Sequence, residues 1–319
     1  NDNVSVSLAS LGIMTMTAEA KGIFKAYLDS TNAEMYVSDV NISNTYKATS
    51  EARSTQPGKG VGVSLVSGQM NFATATTAAN AGAYLTGSGM VDAAGLNINV
   101  TGSGSSATAD IDAAKTSVDG VNIAANQALA SMKLIQNAYI NGTGTVNATG
   151  PVSILSILQN TSSWAEAGAN GGTGVSLIGG AVNQTTAESA STVNAYIAGN
   201  VTIDTIGNVY VGSDLSGTVT SRSQAPDTEV TVASIGVVTV YATFANDTVS
   251  AYIAGNANVT GSSVDVIANA SGTAEAIAEQ PNTSVSAVSA AEIYAEARVL
   301  SRTVTAYIGR DAAVISIGT

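Results

Sequence analysis

The stretch Thr248-Val249-Ser250-Ala251-Tyr252-Ile253-Ala254-Gly255-Asn256 decides the fold, because its centre returns at nearly even spacing along the chain. Ala-Tyr followed by Ile or Leu stands at Tyr27, Tyr84, Tyr139, Tyr196, Tyr252 and Tyr307, at intervals of 57, 55, 57, 56 and 55 residues. A fixed period of this length marks a repeat architecture, in which each unit buries its apolar face on the next. Length alone, 319 residues, suggests two domains. Solenoids grow without dividing, so residues 1–319 read as one continuous solenoid segment of a longer protein.

Working outward from the tyrosine, an apolar residue recurs seven positions later, at Val91, Val146, Ile203, Val259 and Val314, slipping by one to Met35 in the first unit. A third segment follows: Val40-Asn41-Ile42, Leu96-Asn97-Ile98, Val152-Ser153-Ile154, Val209-Tyr210-Val211 and Val264-Asp265-Val266. These are period-2, β-branched patterns set off by Gly, Asn and Ser, and they read as strands with tight corners. A variable stretch comes next, with turn chemistry at Gln56–Gly60, Lys115–Gly120, Ala169–Gly174, Ala225–Asp227 and Gln280–Asn282. Turn residues at one phase of a repeat belong on one edge of a stack. The chain then resumes as Val63-Ser64-Leu65 and its equivalents and alternates small residues up to the next Ala-Tyr.

Helix competes only where Ala is dense, at Trp164–Ala167, Thr273–Glu279 and Ala290–Arg298. The flanking period-2 alternation and poor capping favour strands. The stretch Ser284–Ile308 holds neither Gly nor Pro, yet as one strand it would reach ~80 Å at ~3.3 Å per residue. It is therefore expected to divide into several strands. Three faces of about six residues would make a coil of about 18 to 19, three coils to each repeat, with two coils of about 28 as the runner-up. About 17 such coils would span ~80 Å at ~4.8 Å each.

Apolar residues make up 45% of the chain, enough for a core, while charged residues reach only 11% against about 25% in an ordinary soluble domain. A surface of Ser, Thr and Asn suits long extracellular β-rich proteins. The net charge of −12, with no basic run of four, argues against nucleic acid as a partner. Cys and His are both absent, which removes disulfides, thiolate zinc sites, Ser-His-Asp triads and Cys-His pairs. No apolar stretch of membrane-spanning length occurs, so membrane insertion of this segment is not expected.

The phrases Thr-Val-Ser-Ala-Tyr-Ile-Ala-Gly-Asn (248–256) and Thr-Val-Thr-Ala-Tyr-Ile-Gly (303–309), with the paired short apolar strands behind each, resemble the repeats of giant bacterial exoproteins. These are the filamentous-haemagglutinin-like and leukotoxin-like surface adhesins. The likeness covers about the last 130 residues well; the first two units, with Ala-Tyr-Leu, match more loosely. The resemblance implies a right-handed parallel β-helix (an all-β solenoid) forming an elongated stalk or fibre at the bacterial cell surface. A shared fold leaves function open.

Candidate chemistry is sparse. The six tyrosines read either as corner or core residues or as aromatic platforms for sugars. Asp110, Asp112 and Asp119, with Lys115 between them, form one of the denser acidic groups and read as a solvated loop. Neither a glycine-aspartate calcium repeat nor a phosphate-binding loop occurs, so no metal, cofactor or catalytic residue is expected. Sequons mark possible glycosylation at Asn41, Asn99, Asn141, Asn147, Asn160, Asn183, Asn200, Asn246, Asn258 and Asn269. The variable edge offers Pro57, Lys59, Lys115, Asp119, Trp164, Pro226, Asp227 and Pro281 as an interaction surface. The expected function is non-enzymatic: a structural or adhesive segment of a secreted surface protein. Its partners would be other segments or copies of itself through the coil ends, and host or cell-surface glycans. The alternatives are a subunit of a self-assembling extracellular filament and a carbohydrate-binding or carbohydrate-active β-helix.

Overall fold

Alternating small and β-branched residues build parallel sheets wound around one axis in a computed structural model, which describes residues 4–55, 61–112, 116–168, 173–224, 228–279 and 283–317. The first coil holds β1 (Val4–Asp29), β2 (Glu34–Tyr36), β3 (Asp39–Tyr46) and β4 (Thr49–Thr55). The second holds β5 (Val61–Gly87), β6 (Met90–Ala93), β7 (Gly95–Ser103) and β8 (Ser106–Asp112). The third is β9 (Thr116–Gly142), β10 (Thr145–Ala148) and β11 (Val152–Gly168). The fourth is β12 (Thr173–Ser189), β13 (Thr192–Gly199), β14 (Thr202–Thr205) and β15 (Val209–Gln224). The fifth is β16 (Thr228–Phe244), β17 (Asp247–Ile253), β18 (Asn258–Gly261) and β19 (Val264–Ala278). The sixth is β20 (Thr283–Val299), β21 (Arg302–Ile308) and β22 (Ala313–Ser316).

Each coil pairs with the next in parallel, Tyr27 on Tyr84, Tyr84 on Tyr139 and onward to Tyr307. One sequence repeat is therefore one coil of the β-helix. This corrects the expectation of three coils per repeat, and the two-coil alternative with it. The stack rises five steps of ~4.8 Å, about 24 Å from first strand to last, not ~80 Å. The misjudgement lies in strand length. β5 and β9 each run for 27 residues, turning once near their starts at Leu65 and Gly120 and then continuing without a residue that forces a corner up to the Ala-Tyr phrase. Ser284–Ile308 divides only once, at Leu300-Ser301, and all three helix candidates lie within or end on strands.

The long sheet (β1, β5, β9, β12/β13, β16/β17, β20/β21) faces the sheet of the third segments (β3/β4, β7/β8, β11, β15, β19), and the short sheet (β2, β6, β10, β14, β18, β22) closes one side. Inward columns fill the space between them. Ala83, Ala138, Ala195 and Ala251 form one; Leu85, Ile140, Ile197 and Ile253 form the next. The plus-seven residues stack as a single column from Met35 to Val314, as expected of a repeat position. Hydroxyls bridge the two large sheets where the columns turn polar: Ser163 donates to the Ala130 carbonyl at 3.1 Å and Ser221 to Thr185 at 2.8 Å. The corner into the short sheet needs left-handed backbone, which Gly199 (φ 87°) and Gly255 (φ 71°) supply.

The long sheet begins with an arch. Its ladders all skip one position, at Leu8, Leu65, Gly120, Leu177, Val232 and Ala287. The chain doubles back there. A Cβ placed on Gly179 would lie 3.2 Å from Ser176 Oγ and 3.1 Å from Thr231 Cγ2, so residues three apart face each other. Chain length requires the same thing: only three residues separate Gln224, at the end of β15, from Thr228, at the start of β16.

Candidate functional site

Three arrangements concentrate chemistry: the tyrosine ladder, the arch, and the outer face of the third-segment sheet. The ladder follows from parallel in-register pairing, which stacks identical side chains. Successive ring centroids from Tyr27 to Tyr307 are 5.2, 4.7, 4.8, 4.9 and 5.1 Å apart, with planes within 10°. The rings stand on the outside of the long sheet, between the buried alanine and Leu/Ile columns. They are neither corner nor core residues, which corrects the structural reading of the motif. Their flat faces are taken by one another, so only the outer faces of Tyr27 and Tyr307 are open to a sugar ring. Burial, helped by neighbouring phenols, pushes the Tyr139, Tyr196 and Tyr252 hydroxyls above the usual phenol range.

The arch reverses the usual pattern. Its interior is lined by Ser64, Ser67, Asn71, Ser117, Asp119 and Asn126, all buried. Asn71 donates to Asn126 at 2.8 Å, and Asn126 donates to Asn183 at 2.8 Å. Ser64 donates to Asp119, whose other carboxylate oxygen is buried without a hydrogen-bond partner. A cavity of about 150 Å³ is lined from the second to the fifth coil and one of about 260 Å³ from the fourth to the sixth, the two sharing Ala181, Asn183, Gln224 and Glu229. Burial holds the Glu229 carboxyl above its ordinary range.

On the third-segment sheet, Arg53 pairs with Asp110 at 2.9 Å, and Arg222 pairs with Glu279. Trp164 donates its indole N–H to Glu166 at 3.1 Å. Burial raises the Asp110 and Glu166 carboxyls despite these partners. No group of three or more metal-ligating side chains occurs among the described residues.

The expected edge comes apart. Pro57, Lys59, Lys115, Pro226, Asp227 and Pro281 lie outside the described residues. Asp119 is 5% exposed inside the arch, not on a solvated loop or edge, and Trp164 belongs to a strand face. Of the sequons, Asn41, Asn141, Asn160, Asn200, Asn246, Asn258 and Asn269 are exposed and Asn99 and Asn147 half-buried. Asn183 is buried in the amide ladder.

Sequence reasoning missed a buried ion pair. Asp247 is fully buried and accepts from Arg302 at 2.9 Å and from the Ser191 backbone N–H at 2.9 Å. The Arg302 guanidinium also sits 4.2 Å over the Phe244 ring. Both residues stand five before their tyrosines, so aligning the repeats would have revealed the pair. Comparison with family models, curated proteins and solved structures finds no match.

Proposed function

We propose that this chain is a mechanical segment of a secreted bacterial surface protein, a stiff spacer of the adhesin type rather than an enzyme. The observation that carries this reading is the continuous parallel pairing from coil to coil. The long and short sheets pair strand on strand from the first coil to the sixth, the third-segment sheet from the first to the fifth, and one aromatic column runs the whole way. A stack of that kind resists bending and lengthens by adding coils. The likeness of its repeats to large exoproteins supports the same setting, the bacterial cell surface.

Single-molecule pulling between the two ends tests it. Coil-by-coil release gives steps of about 190 Å, one repeat at ~3.4 Å per residue. One unresolved opening at low force would overturn the spacer reading. A second reading is end-to-end assembly of copies into a filament through unpaired coil edges. Inward residues such as Val304 and Ile308 are 45% and 49% exposed at the last coil. Negative-stain electron microscopy separates the two: particles one stack high support the spacer, and long fibres of uniform width support the filament.

A further inference from the structure

The arch leaves its apolar side chains outside. Val63, Val118, Val175, Val230 and Val285 form one exposed column on its outer flank. Leu65, Leu177 and Val232 stand exposed at its apex, 63%, 62% and 54% open. Together they make an apolar rim along the whole stack. Contiguous patches of this extent mark a surface that another molecule covers.

One column says what covers it. Reading from the first coil to the sixth, it holds Leu11, Gly68, Ile123, Gly180, Ile235 and Ala290. Large side chains occupy the odd coils and glycine or alanine the even ones. Leu11, Ile123 and Ile235 project into solvent, 78%, 56% and 66% exposed. Each small residue leaves a notch beside a projection: a Cβ on Gly68 would lie 3.5 Å from Leu11 Cγ, and one on Gly180 3.9 Å from Ile123 Cγ1.

We infer that the rim is the interface of a side-by-side dimer of this chain, with the two stacks antiparallel. A two-fold axis parallel to the strands of the limb after the apex turns the stack over and brings the column from Leu11 to Ala290 onto itself. Coil one then meets coil six, three meets four, and five meets two. Every projection of one copy faces a notch of the other: Leu11 against Ala290, Ile123 against Gly180, Ile235 against Gly68. In the neighbouring column the same pairing sets small Ala125 against Val182. A parallel pairing in register would set projection against projection. A second copy of this chain repeats large and small residues at the same two-coil spacing, ~9.6 Å. A lipid surface fits poorly, because residues 63–70, 118–125, 175–182, 230–237 and 285–292 hold no aromatic and no Lys or Arg.

Analytical ultracentrifugation of the full chain between ~1 and ~100 µM tests the pairing. The expected result is a dimer that Ile123→Ser with Ile235→Ser weakens at least tenfold, leaving the circular dichroism and melting temperature unchanged. Gly180→Leu, which fills a notch, should weaken it similarly and covers the case in which the serine variant misfolds. The chain has no native cysteine, so Leu11→Cys mixed with Ala290→Cys reports direction through a short bis-maleimide. Mixed cross-links are expected. Cross-linking of Leu11→Cys to itself overturns the antiparallel arrangement, since those sites would be ~24 Å apart. A monomer at every concentration, with or without binding to phosphatidylcholine vesicles, overturns the proposal, as does a serine variant that dimerises unchanged.

Discussion

Between Ala73 and Leu85 the second coil keeps small and branched side chains inside; between Val63 and Met70, on the same strand, it buries Ser64 and Ser67 and exposes Val63, Leu65, Val66 and Met70. The two regions share strand pairing, period and composition, so propensity does not separate them. What differs is the facing surface. The body has a second sheet about one sheet-spacing away and fills the gap with apolar columns. The arch faces only itself across a narrow lumen, where Ser, Asn and Gly fit and Leu does not. The body is complete within one chain, and the arch becomes complete when its outer face is covered.

The comparison breaks most sharply at charge. Arg302→Met strips Asp247 of its partner inside the body and should cost about 3–5 kcal/mol. Glu229→Gln, in the partly open lumen, should stay within about 0.5 kcal/mol. Chemical denaturation of both variants measures the gap, and equal losses would erase the distinction. Apolar truncation gives the next largest contrast. Ile197→Ala, fully buried, should lose about 2–5 kcal/mol. Ile235→Ala, 66% exposed, should leave the monomer within about 0.5 kcal/mol. Thermal melts below the dimerisation range compare them directly.

At the seam between body and arch, Asn126→Ala leaves Asn71 and Asn183 each short of an amide partner. A loss of about 1–3 kcal/mol is expected if that seam is dry. A negligible loss in denaturant titrations would mean that water enters the lumen this far. The smallest effect lies on the outer face. The Tyr139, Tyr196 and Tyr252 hydroxyls titrate higher folded than unfolded. As pH rises past ~10 the unfolded chain binds fewer protons than the folded one, so stability falls through that window. Tyrosinate absorbance should therefore lag in the folded chain and appear together with unfolding.

The period, the strand class and the column from Met35 to Val314 were legible in the sequence, because a spacing of tyrosines and an apolar residue seven positions on need no three-dimensional knowledge. Coil size was not. Strand length shows only where a residue ends a strand, and residues 73–83 and 128–138, before Tyr84 and Tyr139, hold no proline and no break. The arch was half legible. Val63-Ser64-Leu65 announces a strand, but period 2 does not say which face turns inward. The side on which the tyrosines stand had the same ambiguity, and it reversed the structural reading of the motif. The Asp247–Arg302 pair stands in the sequence as two opposite charges at one phase of the repeat, visible only when the fifth and sixth units are aligned.

The registers between coils stay between 55 and 57 residues, and the slack is taken up at corners such as Asn246, where the fifth coil gains one residue on the fourth. Coils are therefore interchangeable parts. Excising Ile140 to Tyr196 would join Tyr139 to Ile197 at the same phase and leave every column continuous, one member shorter. A gene encoding such a chain can gain or lose whole units by unequal recombination without passing through an unfoldable product. Its length is then something selection can adjust in quanta of one coil. Where large and small residues alternate from coil to coil, those quanta come in twos.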